Sequence, residues 1–138
     1  MTVVAKSDTM APAPSSTAPA AMGFLTTHVL DTMNGCPAAG MRVALFRLVG
    51  DTPQLLRELA LDDDGRAGGP LLEGDAFQVG RYRLAFEVGA YFRARGAVLP
   101  EPVFLDRVPL DFGIADAKAH YHVPLLTSPW SYSTYRGS

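Results

Sequence analysis

Turn residues recur at short intervals from Gly23 onward, and they leave room only for short extended segments between them. Residues 34–35 (Asn-Gly), 50–53 (Gly-Asp-Thr-Pro) and 128–129 (Ser-Pro) are combinations that favour turns. Seven or eight short strands with at most one helix are typical of an all-β sandwich. The predicted strands are Leu25–Asp31, Met41–Val49, Gln54–Leu61, Leu71–Leu72, Arg81–Val88, Val103–Phe112, Lys118–Leu126 and Trp130–Tyr135.

The segment Arg81–Val88 has the clearest strand pattern, because apolar and polar residues alternate along it. Met41–Val49 is apolar on both faces, which indicates a strand that is covered on both sides or meets a partner subunit. Ala90–Arg95 can form a single short helix that ends at Gly96. Pro109 lacks a backbone N–H, so its strand is expected at a sheet edge or a bulge.

The first 22 residues have a different composition from the rest of the chain. Residues 11–21 are rich in alanine and proline and contain no large apolar side chain. The prolines interrupt both helices and sheet ladders. We therefore expect a disordered tail over residues 1–22 and a single domain over residues 23–138, a length that can bury a core without a disulfide or a metal.

Composition and charge exclude several classes of partner. The net charge of −2 is too small to indicate binding to nucleic acid or to an acidic membrane surface. No apolar run approaches the ~20 residues of a membrane span, and the N-terminus lacks the apolar core of a secretory signal. The single cysteine, Cys36, cannot form an internal disulfide and is compatible with a reducing compartment. The expected location is the cytoplasm.

The three histidines are the first candidates for chemistry. His120 and His122 are two residues apart, so on a strand both side chains project from the same face, and His28 is predicted in the middle of another strand. Three interpretations stay open at this point. The pair can be hydrogen-bonded strand histidines, zinc ligands that need a third ligand such as His28, or general acids and bases near neutral pH.

Two further segments carry polar groups suited to a binding site. Arg66 follows Gly65 in a charged turn, and its guanidinium can hold a carbonyl edge or an oxyanion, although solvated loop arginines are common. Residues 131–138 (Ser-Tyr-Ser-Thr-Tyr-Arg-Gly-Ser) are rich in hydrogen-bonding groups, whereas chain ends are normally frayed. The contrast suggests that this segment is held in place.

Together these segments resemble a known family, the 5-hydroxyisourate hydrolases, or transthyretin-related proteins. The resemblance covers residues 23–138, and its most specific part is the combination of residues 120–126 (His-Tyr-His-Val-Pro-Leu-Leu) with residues 135–138 (Tyr-Arg-Gly-Ser). Residues 27–31 (Thr-His-Val-Leu-Asp) and 64–66 (Asp-Gly-Arg) resemble the other two motifs of the family. Residues 130–131 (Trp-Ser) depart from the family's usual aromatic-glycine pair, so the local packing there is expected to differ.

The resemblance implies a transthyretin-like (prealbumin-like) antiparallel β-sandwich with one short helix. It also implies a homotetramer, a dimer of dimers with its active sites at the dimer–dimer interface. The implied reaction is the hydrolysis of 5-hydroxyisourate, a product of urate oxidation, to 2-oxo-4-hydroxy-4-carboxy-5-ureidoimidazoline. The implied catalytic residues are His28, Arg66, His122 and Ser138, and the implied substrate-binding residues are His120, Tyr135, Arg136 and Gly137.

The resemblance also implies acid–base activation of water by His28 or His122, without a metal or another cofactor. Three alternatives differ in class from this hypothesis. A transthyretin-type module would bind a small ligand without catalysis, a metal-binding sandwich would use the three histidines, and a structural sandwich would have no site. Transthyretins proper lack the histidine set and the Tyr-Arg-Gly-Ser end, both of which this chain contains.

Overall fold

A computed structural model describes residues 22–138. The described range contains eleven β-strands, the helix α1 at Val88–Ala94 and a 3-10 turn at Gly74–Ala76. The predicted tail lies outside the described residues except for Met22. The strands are β1 Phe24–Thr26, β2 Val29–Asp31, β3 Cys36–Pro37, β4 Arg42–Val49, β5 Thr52–Ala60, β6 Leu72–Glu73, β7 Gly80–Glu87, β8 Arg107–Ile114, β9 His120–His122, β10 Leu125–Thr127 and β11 Tyr132–Thr134.

One layer of the fold is an antiparallel sheet with the strand order β5-β4-β7-β8. The other strands form two shorter sheets, with the orders β6-β1-β9 and β11-β10-β2-β3. Backbone hydrogen bonds from Val123 to Thr26 (3.0 Å) and from Leu125 to His28 (2.9 Å) connect these two short sheets. β1 pairs with β9, and β2 pairs with β10, in parallel, whereas the family resemblance implied an antiparallel sandwich.

The core lies between the two layers and is formed by one cluster of buried apolar side chains. Leu25, Val29 and Leu125 contribute from the short sheets, and Tyr82 and Phe86 contribute from the long sheet. Burial of side chains of this size stabilises a fold by about 1.5–3 kcal/mol each. This burial holds the short sheets, which carry the histidines, against the sheet β5-β4-β7-β8. No helix in residues 22–138 is long and apolar enough to cross a membrane.

The all-β architecture with one short helix is confirmed, but several boundaries differ from the prediction. The predicted strands Leu25–Asp31 and Lys118–Leu126 are each broken into two strands. Together with the two-residue strands β3 and β6, these breaks give the described residues more strands than the seven or eight expected. His28 consequently lies between β1 and β2 rather than in the middle of a strand. The strand predicted at Val103 begins at Arg107, where pairing with β7 starts, and Pro109 does lie in the edge strand β8.

Candidate active site

The side chains of His120 and His122 point to the same face of β9, as their spacing predicts. Both contact one hydroxyl group, because Thr26 Oγ1 lies 2.7 Å from His120 Nε2 and 2.8 Å from His122 Nδ1. The parallel register places Thr26 opposite His122 and Phe24 opposite His120. The rings of Phe24 and His120 stack with their centroids 4.1 Å apart. Strand β1 therefore orients both imidazoles.

His28 and Arg66 meet at the break between β1 and β2, where their backbones form an isolated antiparallel bridge. The turn that carries Arg66 is closed by Asp62, whose carboxylate accepts hydrogen bonds from the N–H groups of Arg66 (3.0 Å) and Asp64 (2.9 Å). Gly65 has φ +72°, and a Cβ there would lie 2.6 Å from the carbonyl oxygen of Val29. Glycine is thus required both for the backbone conformation and for the close approach.

The segment after β11 returns to β9 and contacts His122. The N–H of Gly137 donates to the carbonyl of His122 at 2.8 Å, and the N–H of His122 donates back at 3.2 Å. A Cβ on Gly137 would lie 3.1 Å from Cβ and Cδ2 of His122, so the glycine allows the backbone to lie against the imidazole. The Arg136 guanidinium stacks over the Tyr121 ring at 4.3 Å and donates to the His120 carbonyl at 3.4 Å.

The surroundings of His120 and His122 favour the neutral imidazoles. Burial lowers the pKa of His122, and the charges of His120, Arg66 and His28 lower it further. Burial, followed by the charge of Arg136, lowers the pKa of His120. The neutral form of both rings is therefore favoured at pH 7, and a neutral imidazole can accept a proton from water.

The site lies on an open face rather than in an enclosed cavity. The three histidines are half-buried, whereas Arg66, Arg136 and Ser138 are exposed. A cleft of about 650 Å³ lies elsewhere, between β4 and helix α1, and none of the predicted site residues lines it. The histidine face of a single chain thus leaves one side of a bound molecule uncovered.

The structure places the predicted site residues in two neighbouring groups, since the charges of His28 and Arg66 act on His122. The backbone bridges place His28 next to Arg66 and His122 next to Gly137, and Thr26 connects His120 to His122. Ser138 directly follows Gly137 and is exposed. Tyr135 is 59% exposed and lines a separate depression of about 340 Å³ next to β8, which the sequence did not predict.

Sequence reasoning missed Thr26 and Phe24. A signal for Thr26 was present, since it lies two residues before His28 in the predicted strand. Its contact with the other two histidines depends on the parallel pairing of β1 with β9, for which the sequence has no local signal. Within residues 22–138, no group of three or more His, Cys, Asp or Glu side chains is arranged to hold a metal ion.

Residues 25–137 match the HIUase/Transthyretin family. A protein named 5-hydroxyisourate hydrolase 2, from Rhizobium meliloti, is 59% identical over 116 residues, which cover 84% of this chain and 97% of that protein. A 5-hydroxyisourate hydrolase from Ralstonia nicotianae is 58% identical over 117 residues, which cover 85% of this chain and all of that protein (100%).

Two solved structures extend the comparison to the fold. The 5-hydroxyisourate hydrolase of Klebsiella pneumoniae superposes with a TM-score of 0.68 at 36% identity, over 83% of this chain and 99% of that one. Sea bream transthyretin, solved in complex with thyroxine, superposes with a TM-score of 0.73 at 25% identity, over 82% of this chain and 93% of that one. By its sequence and by its fold, this chain belongs to the HIUase/Transthyretin family.

Proposed function

We propose that this chain hydrolyses 5-hydroxyisourate, a product of urate oxidation, to 2-oxo-4-hydroxy-4-carboxy-5-ureidoimidazoline by opening the ring lactam. The observation that carries the proposal is that His28 is bridged to Arg66 and His122 to Gly137, with the charges of His28 and Arg66 acting on the His122 imidazole. The names of the two bacterial relatives with 59% and 58% identity support the same substrate.

Lactam hydrolysis needs a base for the attacking water, and His122 and His28 are the candidates. The lowered pKa of His122 keeps its ring neutral and able to accept a proton at pH 7. Among the described residues, its Nδ1 contacts Thr26 Oγ1, so Nε2 is the nitrogen free to face water. The proton then has to reach the leaving ring nitrogen, and the second histidine or the Ser138 hydroxyl can relay it.

The attack places negative charge on the lactam oxygen, and Arg66 is the group that can stabilise it. The turn closed by Asp62 fixes the Arg66 backbone next to His28, while the guanidinium stays exposed and free to reach a ligand. A positioned donor to such an oxyanion commonly contributes about 2.7–4 kcal/mol. His120, Arg136 and Gly137 would complete the binding surface around the heterocycle, and Tyr135 would extend it into the depression next to β8.

The proposal includes a homotetramer in which sites form at the interface between two dimers. The open histidine face supports this arrangement, because a second subunit would cover the exposed side of the substrate and exclude water. Within residues 22–138, β8 and β11 lie at sheet edges and offer unpaired backbone groups to a neighbouring copy. Multi-angle light scattering should give a mass four times that of the chain, and a monomer with full activity would contradict this part.

We also propose that residues 23–138 form the hydrolase domain and that residues 1–22 are a separate tail. The match of the family to residues 25–137 supports this boundary. A cytoplasmic location fits the single cysteine, Cys36, which needs no oxidising compartment. Deletion of residues 1–22 should leave turnover unchanged, and a large loss of activity would contradict the boundary.

The direct test follows the ultraviolet absorbance of freshly made 5-hydroxyisourate with and without the protein. Catalysis should accelerate its decay in proportion to the protein concentration. A decay rate that does not depend on the protein would refute the proposal. It would leave the alternative of a transthyretin-type module, for which calorimetric titration with a small hydrophobic ligand is the test.

A further inference from the structure

We propose that Thr26 is a positioning residue whose single hydroxyl sets the ring tautomers of His120 and His122 together. The inference deepens the proposed function, because it rests on His122 acting as an acid or a base in that reaction. It starts from two distances, 2.7 Å from Thr26 Oγ1 to His120 Nε2 and 2.8 Å to His122 Nδ1. Both are within the range of strong hydrogen bonds.

Each partner in this contact is held in place by its surroundings. His120 stacks on Phe24 with an angle of 14° between the ring planes. His122 is hydrogen-bonded through its backbone to Gly137, where even a Cβ would lie 3.1 Å from Cδ2 of the imidazole. The backbone carbonyl of Thr26 accepts from Val123 at 3.0 Å, which fixes β1 against β9. The rings therefore have little freedom to turn away, and the hydroxyl proton is the mobile part.

When the Thr26 hydroxyl donates to one of the two rings, counting protons leaves two arrangements for neutral rings. A hydroxyl has one proton to donate, and a neutral imidazole has one N–H and one acceptor nitrogen. In the first arrangement, Thr26 donates to His122 Nδ1 and accepts from His120 Nε2, so both rings carry their proton on Nε2. In the second, Thr26 donates to His120 Nε2 and accepts from His122 Nδ1, so both rings carry their proton on Nδ1.

The two arrangements give His122 opposite roles. With its proton on Nδ1, His122 has a free lone pair on Nε2 and can act as a base without breaking its contact with Thr26. With its proton on Nε2, the ring can only donate from that nitrogen. Rotation of the Thr26 hydroxyl, together with a proton shift on each ring, exchanges the two roles, so one residue controls the state of both histidines.

The same geometry couples the charges of the two histidines. If both rings were protonated, Nε2 of His120 and Nδ1 of His122 would each direct an N–H at the same hydroxyl oxygen. The charges that face His122 are those of His120, Arg66 and His28, and the charge that faces His120 is that of Arg136. Within residues 22–138, no carboxylate is among the groups whose charges act on the two rings, so nothing there compensates a second proton. The pair should therefore take up its protons in two separate steps.

The chain offers matched variants for testing this role. Thr26→Val keeps the shape of the side chain and removes the hydroxyl, whereas Thr26→Ser keeps the hydroxyl. Thr27→Val is the control for the loss of a neighbouring hydroxyl, since Thr27 Oγ1 donates to the Val123 carbonyl at 2.8 Å and not to a histidine. Thermal unfolding checks that each variant folds, and Thr26→Ala replaces Thr26→Val if the latter does not.

Kinetics and nuclear magnetic resonance give independent readouts. Thr26→Val should lower kcat by about 10–100-fold, the range found when the hydrogen bond that orients a metal-ligating histidine is removed. KM should change little, and Thr26→Ser and Thr27→Val should keep most of the activity. Nitrogen-15 shifts of the three histidines report the tautomers. In the wild type, His120 and His122 should carry their protons on the same ring nitrogen, and the two rings should titrate in two separate steps. Thr26→Val should lose both features.

The outcomes separate this inference from the proposed function. Wild-type kcat together with wild-type nitrogen shifts in Thr26→Val would overturn the role of Thr26 while turnover of 5-hydroxyisourate stands. A loss of kcat with unchanged shifts would also overturn it, because the effect would then be structural. If the wild-type protein does not turn over 5-hydroxyisourate, the proposed function fails, and the nitrogen shifts of Thr26→Val alone decide whether Thr26 sets the tautomers.

Discussion

Replacing Gly137 with alanine perturbs the candidate site at one contact whose geometry is defined. The added Cβ would lie 3.1 Å from Cβ and Cδ2 of His122, whereas ordinary contacts of this kind lie at 3.4–4 Å. His122 is held on its other side by Thr26, at 2.8 Å from Nδ1. We therefore expect the half-buried backbone at Gly137, which lies in a terminal segment, to move away rather than the ring.

The size of that movement sets the expected loss of activity. Restoring ordinary contact distances needs a withdrawal of about 0.3–0.9 Å, and a misplacement of about 1 Å in an active site can cost about 100-fold in rate. If the loss in activation free energy grows linearly with the displacement, a movement of about 0.3–0.9 Å predicts that kcat/KM falls by about 4–60-fold. The free energy of unfolding should change by less than about 1 kcal/mol, since the residue lies in an exposed terminal segment.

The assay is the decay of 5-hydroxyisourate absorbance under steady-state conditions, with urea unfolding measured in parallel. Gly113→Ala is the matched control, because a Cβ there would meet nothing within 4 Å. Light scattering on both variants checks that the subunit assembly is unchanged. Wild-type kcat/KM in a folded Gly137→Ala protein would refute the argument that the close contact with His122 positions the terminal segment.

Three further predictions concern the histidines and the turn at Gly65. His122→Asn should lower kcat by about 10²–10⁴-fold in the absorbance assay, and an unchanged rate would remove His122 from the mechanism. Because the pKa values of His120 and His122 are lowered in the fold, the unfolded chain binds more protons just below pH 6.5. The free energy of unfolding should therefore be highest above pH 6.5 and should fall as the pH drops through the folded-state pKa values of the two histidines. The urea midpoint of the double variant His120→Asn/His122→Asn should fall less over the same pH range than that of the wild type. Gly65→Ala should destabilise the fold by at least about 1–2 kcal/mol in urea unfolding, because φ there is +72° and the Cβ would meet the Val29 carbonyl, and a wild-type midpoint would contradict this.

Local chemistry in the sequence determined a large part of the fold. The alternation in residues 81–88, the turn at residues 62–66 and the short helix depend on neighbouring residues, and the structure contains all three. The common face of His120 and His122 follows from the two-residue period of a strand, and both rings do contact Thr26. The family motifs identified the residues to examine, and their individual roles in catalysis stay predictions.

Contacts between distant parts of the chain were decided only by the tertiary structure. The break of the first predicted strand at His28, the parallel pairing of β1 with β9 and the return of Gly137 to His122 each join segments far apart in sequence. No local pattern encodes them, because strand partners are selected by burial of the whole core and not by the residues of one strand. For the same reason the sequence did not predict the contact of the Thr26 hydroxyl with His120. The two residues are 94 positions apart, and only the pairing of β1 with β9 brings them together.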